Sequence, residues 1–197
     1  MNKKKLELKD YLLISFICVL FGVFYLLAVY AGGALSAVLA PMGLGMLGYE
    51  PFYGIWFMAP VFTLYLIRKP GIGIITEIIA AVIEVLLGNM FGIIVVVSAF
   101  IQGLGIEIAF MTKKYGDITY GTTMLGAVIT TIFTFLWTGF RSNYLALDFK
   151  IVLAIFVIRL VSALFFTGFV SKLLCDQMVK SGVVKVRGLS LIHISEP

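Results

Sequence analysis

Four ionisable side chains lie deep inside long apolar runs: Glu77, Glu84, Glu107 and Arg159. The amide of Gln102 shares that setting. A charge at the centre of a bilayer costs about 2.5–3.5 kcal/mol on insertion scales, so such residues are functional candidates by default. Glu77 and Glu84 are seven residues apart, which puts them on one helix face with Ala81 between them. At the α-helical rise they differ in depth by roughly 10 Å. Measured from the inner helix ends, Glu84 and Arg159 both reach about 20 Å, and Glu77 and Gln102 about 9–14 Å. The expected pairs are therefore Glu84 with Arg159 and Glu77 with Gln102. A salt bridge and a hydrogen bond that merely fix helix packing are the structural alternative. Against it, three carboxylates face one arginine, and surplus negative charge suits a cationic or amine-rich ligand. Glu107 sits near the inner surface beside Lys113 and Lys114, where its carboxylate is expected to reach water.

Aromatic side chains gather at the other end. Tyr49, Glu50, Phe52, Tyr53 and Trp56 precede or begin the second apolar run. Asn89 follows the third, and Trp137, Phe140 and Tyr144 lie at or just beyond the end of the fifth. Aromatics at a membrane interface are commonly an anchoring belt. Glu50, Glu84 and Asn89 at the same level argue for more at Tyr53 and Trp56. Carboxylates beside aromatic faces give a flat heteroaromatic cation both stacking and a counter-charge.

These residues need six helices to position them. The chain has 197 residues, 61% hydrophobic and 13% charged, against about 25% charged in soluble domains. Lipid must be the main solvent. A hydrocarbon core takes roughly 20 apolar residues of helix, and such runs lie near 12–30, 53–67, 72–88, 91–111, 119–140 and 151–174. The net charge of +5 comes from short basic clusters between the runs, an orientation signal rather than a nucleic-acid patch. Lys3, Lys4, Lys5, Lys9, Arg68, Lys69, Lys113, Lys114, Lys172, Lys180, Lys185 and Arg187 then share the cytoplasmic side, leaving Arg141 and Lys150 outside. A seventh span at 31–48 would reverse Arg68, Lys69, Lys113 and Lys114. Pro41 and five glycines make that stretch a poor helix, so it is expected to be an external loop or re-entrant hairpin. The fold class is an all-α integral membrane protein with six transmembrane helices and both termini cytoplasmic. The first run is longer than the usual apolar core of a cleaved signal peptide.

The chain reads as one domain over 1–188. The tail Leu189–Pro197 looks like a translated sequencing adapter, which removes His193 from consideration. Cys18 and Cys175 have no metal-like spacing and read as small buried hydrophobes. Ser15, Cys18 and Gly22 form a small-residue stripe on the first helix, suited to internal packing or to docking a partner subunit. Gly43-Leu-Gly45-Met-Leu-Gly48 matches GxGxxG but lacks the strand and helix that a dinucleotide site needs. Walker A, HExxH and GxSxG motifs are missing, and no enzymatic foothold remains.

Several blocks together resemble the YkoE-type S components of energy-coupling-factor (ECF) transporters. They are Tyr49-Glu-Pro-Phe-Tyr-Gly-Ile-Trp56, Ile67-Arg-Lys-Pro-Gly71, the segments around Glu77 and Glu84 to Asn89, and Ile101-Gln-Gly-Leu-Gly105 with Glu107. The resemblance runs from about Asp10 to about Lys180. It implies a substrate-capture subunit for thiamin or its hydroxymethylpyrimidine precursor, with no cofactor of its own. A transmembrane coupling subunit and ATP-binding cassette ATPases would be its partners and would alone use ATP. The first external loop would close over the vitamin. Candidate ligand contacts are Glu50, Tyr53, Trp56, Glu77, Glu84, Asn89, Gln102 and Arg159. An autonomous facilitator for another amine-bearing nutrient, and an intramembrane enzyme or assembly factor, are the alternatives.

Overall fold

The computed structural model describes residues 6–116, 118–182, 184 and 186, and within them every regular element is helical. Helix α1 spans Leu8–Leu39, followed by 3₁₀ turns at Ala40–Met42 and Gly45–Leu47 and a 3₁₀ helix at Glu50–Phe57. Then come α2 (Met58–Ile67), α3 (Ile72–Leu86), α4 (Ile94–Thr112) and α5 (Tyr120–Arg141). A 3₁₀ turn at Tyr144–Ala146 leads into α6 (Phe149–Ala163), a π-helical segment (Leu164–Val170) and α7 (Ser171–Lys180). Lys3, Lys4, Lys5, Lys185, Arg187 and the 189–197 tail with His193 lie outside the described residues.

The six expected runs are the six rods of this bundle. Among the described residues, five stretches of helix are long and apolar enough to cross a membrane: 8–42, 45–67, 94–112, 120–141 and 149–180. The second succeeds although α2 has only ten residues. Pro51 sits in the first turn of the 3₁₀ helix, which rises about 2.0 Å per residue against 1.5 Å in an α-helix. Its eight residues and α2 together extend about 31 Å, enough for a hydrocarbon core. The sixth rod, α3, has fifteen residues and extends only about 22 Å. It stops short, and the cavity described below opens beside its end.

One boundary departs from expectation. The helix α1 continues through Ala31–Leu39 instead of giving way to a loop at Ala31. Gly32 and Gly33 are tolerated there because Tyr49 packs against that part of the helix, where a β-carbon at Gly32 would strike its ring. Past Leu39 the chain folds back on α1. The Ser36 hydroxyl donates to the Gly45 carbonyl at 2.6 Å, and Gly48 lies against the Ser36 backbone too closely for a side chain.

The helix α4 packs between α3 and α5, with α1 against the far side of α3. α6 lies on the 3₁₀ helix and α5. Gly54 makes the first of those contacts possible, since a β-carbon there would collide with the Ser162 carbonyl. Its amide donates to the Ser162 hydroxyl at 3.0 Å, and its carbonyl accepts from the Thr167 hydroxyl at 2.8 Å. The side chains left on the outside of α1, including Leu12, Phe16, Val23 and Leu27, are exposed and apolar, as a lipid-facing surface requires.

The small-residue stripe on α1 does not form a free docking face. Cys18 and Gly22 are buried against α3: the Cys18 thiol donates to the Thr76 carbonyl at 3.6 Å, and Gly22 abuts Ile83. Of the three, Ser15 alone is exposed. Small side chains serve here to bring α1 and α3 close.

Candidate functional site

A cavity of about 250 Å³ opens at the end of the bundle where α3 and α5 terminate. Its floor is an α4 stripe of Val95, Ser98 and Gln102, spaced three and four residues apart as one helix face requires. Glu84 and Asn89 bound it on the α3 side, and Thr138, Arg141 and Ser142 on the α5 side. The 3₁₀ helix contributes Glu50, Tyr53 and Trp56, while Met46 and Tyr49 reach in from the segment before it. Six of the eight expected ligand residues therefore line one cavity: Glu50, Tyr53, Trp56, Glu84, Asn89 and Gln102. Glu77 and Arg159 are placed elsewhere.

The pairings differ from those that depth alone suggested. Arg159 does not meet Glu84. Its Nε donates to Glu50 Oε2 at 2.7 Å and its Nη2 to Oε1 at 2.8 Å. Nη1 donates to the Thr138 hydroxyl at 2.9 Å. The guanidinium also lies over the Tyr53 ring, 3.7 Å from its centroid, a cation–π contact in a dry setting. Arg159 stands behind the cavity wall, and Glu50 at its edge is already neutralised. Likewise Glu77 does not meet Gln102. It is fully buried and accepts from the Tyr25 hydroxyl at 2.7 Å, joining α3 to α1. The depth arithmetic fixed the level of each residue but not the direction in which its helix face points.

Glu84 is the carboxylate that remains for a ligand. Its Oε1 accepts from the Asn89 amide at 2.7 Å and from the Trp56 indole at 3.3 Å. Its Oε2 is buried without a hydrogen-bond partner among the described residues, as is Oε1 of Glu77, which lies outside the cavity. A buried acceptor left unpaired costs about 1–3 kcal/mol, more when charged, so one further donor would be favoured there. Asn89 is itself oriented, because its carbonyl accepts from the Phe91 amide at 2.6 Å. Tyr53 and Trp56 meet edge to face, with centroids 5.6 Å apart.

Glu107 has a different role from the water contact expected of it. It is buried and caps the start of α3: Oε1 accepts from the Gly71 amide at 2.6 Å, and Oε2 from the Gly73 amide at 3.1 Å. A carboxylate at a helix N-terminus satisfies unpaired amides and opposes the dipole. Tyr115, in the loop after α4, donates to the same Oε1 at 2.8 Å. Burial and that carboxylate hold the Tyr115 hydroxyl above the ordinary phenol range.

Of the mouth aromatics, Tyr144 lines the cavity, and the Trp137 indole donates to Ser98 at 2.9 Å. Phe140 is 86% exposed, as a belt residue would be. Sequence reasoning missed Ser98 and Thr138, because a hydroxyl in an apolar helix carries little signal, and also Ser142, just past the end of α5. Thr138, for example, satisfies its own hydroxyl on the Thr134 carbonyl at 2.8 Å.

The comparisons with known proteins agree with this architecture. Residues 9–133 match the family described as "ABC-type cobalt transport system, permease component". The chain is 35% identical over 181 residues to the "Putative HMP/thiamine permease protein YkoE" of Bacillus subtilis (strain 168), covering 92% of this chain and 88% of that one. A crystal structure of an S component of an ECF transporter superposes with a TM-score of 0.83 at 35% identity, over 91% of this chain and 88% of that one. The chain belongs to the S components of ECF transporters. It is a multi-pass protein of the plasma membrane, and its relatives are transporter subunits rather than enzymes. Membership implies association with the components of an ECF module.

Proposed function

We propose that the cavity captures hydroxymethylpyrimidine or thiamin from outside the cell and that the chain hands it inward. The observation that carries this reading is a cavity lined by Tyr53, Trp56 and Glu84, with one Glu84 carboxylate oxygen left unpaired among the described residues. An aminopyrimidine offers both things such a wall lacks: N–H donors for the carboxylate and a flat ring for the aromatics. The name of the Bacillus subtilis relative points to the same ligands.

Both termini and the Arg68–Lys69 and Lys113–Lys114 turns face the cytoplasm, and the cavity faces out. This orientation rests on the positive-inside distribution of lysine and arginine. A coupling subunit and ATP-binding cassette ATPases supply the energy. The S component itself needs no cofactor, in keeping with its lack of a phosphate-binding loop. Calorimetric titration of the purified chain with hydroxymethylpyrimidine and with thiamin tests the ligand. Saturable binding of at least one is expected, and binding of neither would dismiss the assignment.

A further inference from the structure

The cavity carries opposite charges on its two sides. Three ionisable carboxylate or guanidinium groups line it: Glu50, Glu84 and Arg141. Glu50 is matched by the two-point contact with Arg159. Glu84 keeps one oxygen without a partner among the described residues. Arg141 is exposed at the cavity rim and makes no salt bridge among the described residues. Glu84 lies near the C-terminal end of α3 and Arg141 at that of α5. α4 packs between those helices, so the Val95–Ser98–Gln102 stripe separates the two charges. Neighbouring helix axes stand about 8–10 Å apart, and α3 and α5, on either side of α4, are set farther apart than one such spacing. A single aminopyrimidine ring against Glu84 would not extend that far.

We propose that Arg141 recognises the far end of the ligand, and that the cavity accepts ligands ending in a phosphate monoester on that side. This inference rests on the ligand reading given above and refines it from a flat amine-bearing ring to a two-ended molecule. A guanidinium presents a planar fork of donors that matches phosphate oxygens two at a time. The dipole at the end of α5 favours a basic residue in its last turn, but a lysine would meet that need as well. The fork at the rim is what a phosphate would use. The ring end sits against Glu84, Asn89 and Trp56, with the tail crossing Ser98 toward Thr138 and Arg141.

Thiamin and thiamin monophosphate share the ring end and differ at the tail, so the ratio of their affinities isolates the Arg141 contact. Both would be titrated into the purified full-length chain and into the Arg141→Gln and Arg141→Lys variants. Taking the ratio within each variant cancels any partial unfolding, which lowers both affinities alike. The expected result is that Arg141→Gln lowers the monophosphate-to-thiamin affinity ratio about tenfold relative to the wild type. Arg141→Lys, which keeps charge but loses the fork, should fall between the two. An unchanged ratio in Arg141→Gln, with thiamin still bound, would overturn the inference and leave the ligand reading standing. A wild-type chain that binds thiamin but not its monophosphate would also overturn the inference alone, whereas binding of neither, with hydroxymethylpyrimidine unbound too, would overturn both.

Discussion

Arg159 holds both carboxylate oxygens of Glu50 across 109 residues of sequence, at 2.7 and 2.8 Å. The contact ties α6 to the 3₁₀ helix and fixes the wall from which Tyr53 and Trp56 face the cavity. Both partners are almost fully buried. Removing one member of a buried pair typically costs about 3–5 kcal/mol, because the other is left charged and dry.

Glu50→Gln and Arg159→Met should therefore each lower the melting temperature of the ligand-free protein sharply. A Glu50→Leu/Arg159→Met double replacement should recover much of that loss. Thermal unfolding in detergent measures all of these. Single variants that melt with the wild type would show that the pair contributes nothing to the fold.

A second expectation concerns Gly54, whose missing side chain lets the 3₁₀ helix lie on α6. Gly54→Val would press a branched side chain into the Ser162 backbone. Overpacking of this kind costs about 1–3 kcal/mol and more where backbone must move. The yield of monodisperse protein should fall well below that of a control such as Ala146→Val, on the exposed turn. Equal yields would mean that the helices can separate without penalty.

The orientation can be tested by labelling in intact cells. Single cysteines at Gly43 and Ser142 should react with an impermeant reagent, and one at Lys114 should not. Reaction at Lys114→Cys would invert the topology.

Much of this was legible in the sequence, and the reasons are particular to each residue. Tyr53, Trp56, Glu84, Asn89 and Gln102 stood out because polar and aromatic groups at that level of a membrane helix are costly or specialised. The partner of Arg159 was not legible. Glu50 lies on a 3₁₀ helix, and neither its winding nor the rotation of α6 follows from counting residues along an α-helix. The extension of α1 through two glycines was also hidden, since it depends on Tyr49 returning to cover Gly32. Ser98 and Thr138 left no trace because hydroxyls hide inside helices at little cost.

Energy coupling offers a fourth expectation. The purified chain should bind its ligand without ATP and hydrolyse none, since it has no phosphate-binding loop. Concentrative uptake by this chain alone in vesicles, without partners or ion gradients, would contradict the division of labour proposed for it.

The most direct test of the central claim is ligand affinity and ligand-free stability measured together on Glu84→Gln. The substitution keeps shape and removes charge. If Glu84 is the counter-charge to the ligand, thiamin or hydroxymethylpyrimidine affinity should fall by about 2–5 kcal/mol, roughly 30-fold to several-thousand-fold. Ligand-free melting should change little, because among the described residues no cation pairs with Glu84: Arg159 is held by Glu50. Trp56→Ala should weaken binding by about 1–3 kcal/mol if the ring stacks on the ligand as aromatics stack on bases. A large loss of ligand-free stability in Glu84→Gln, with near-normal affinity in the fraction that stays folded, would contradict the account and assign Glu84 to helix packing.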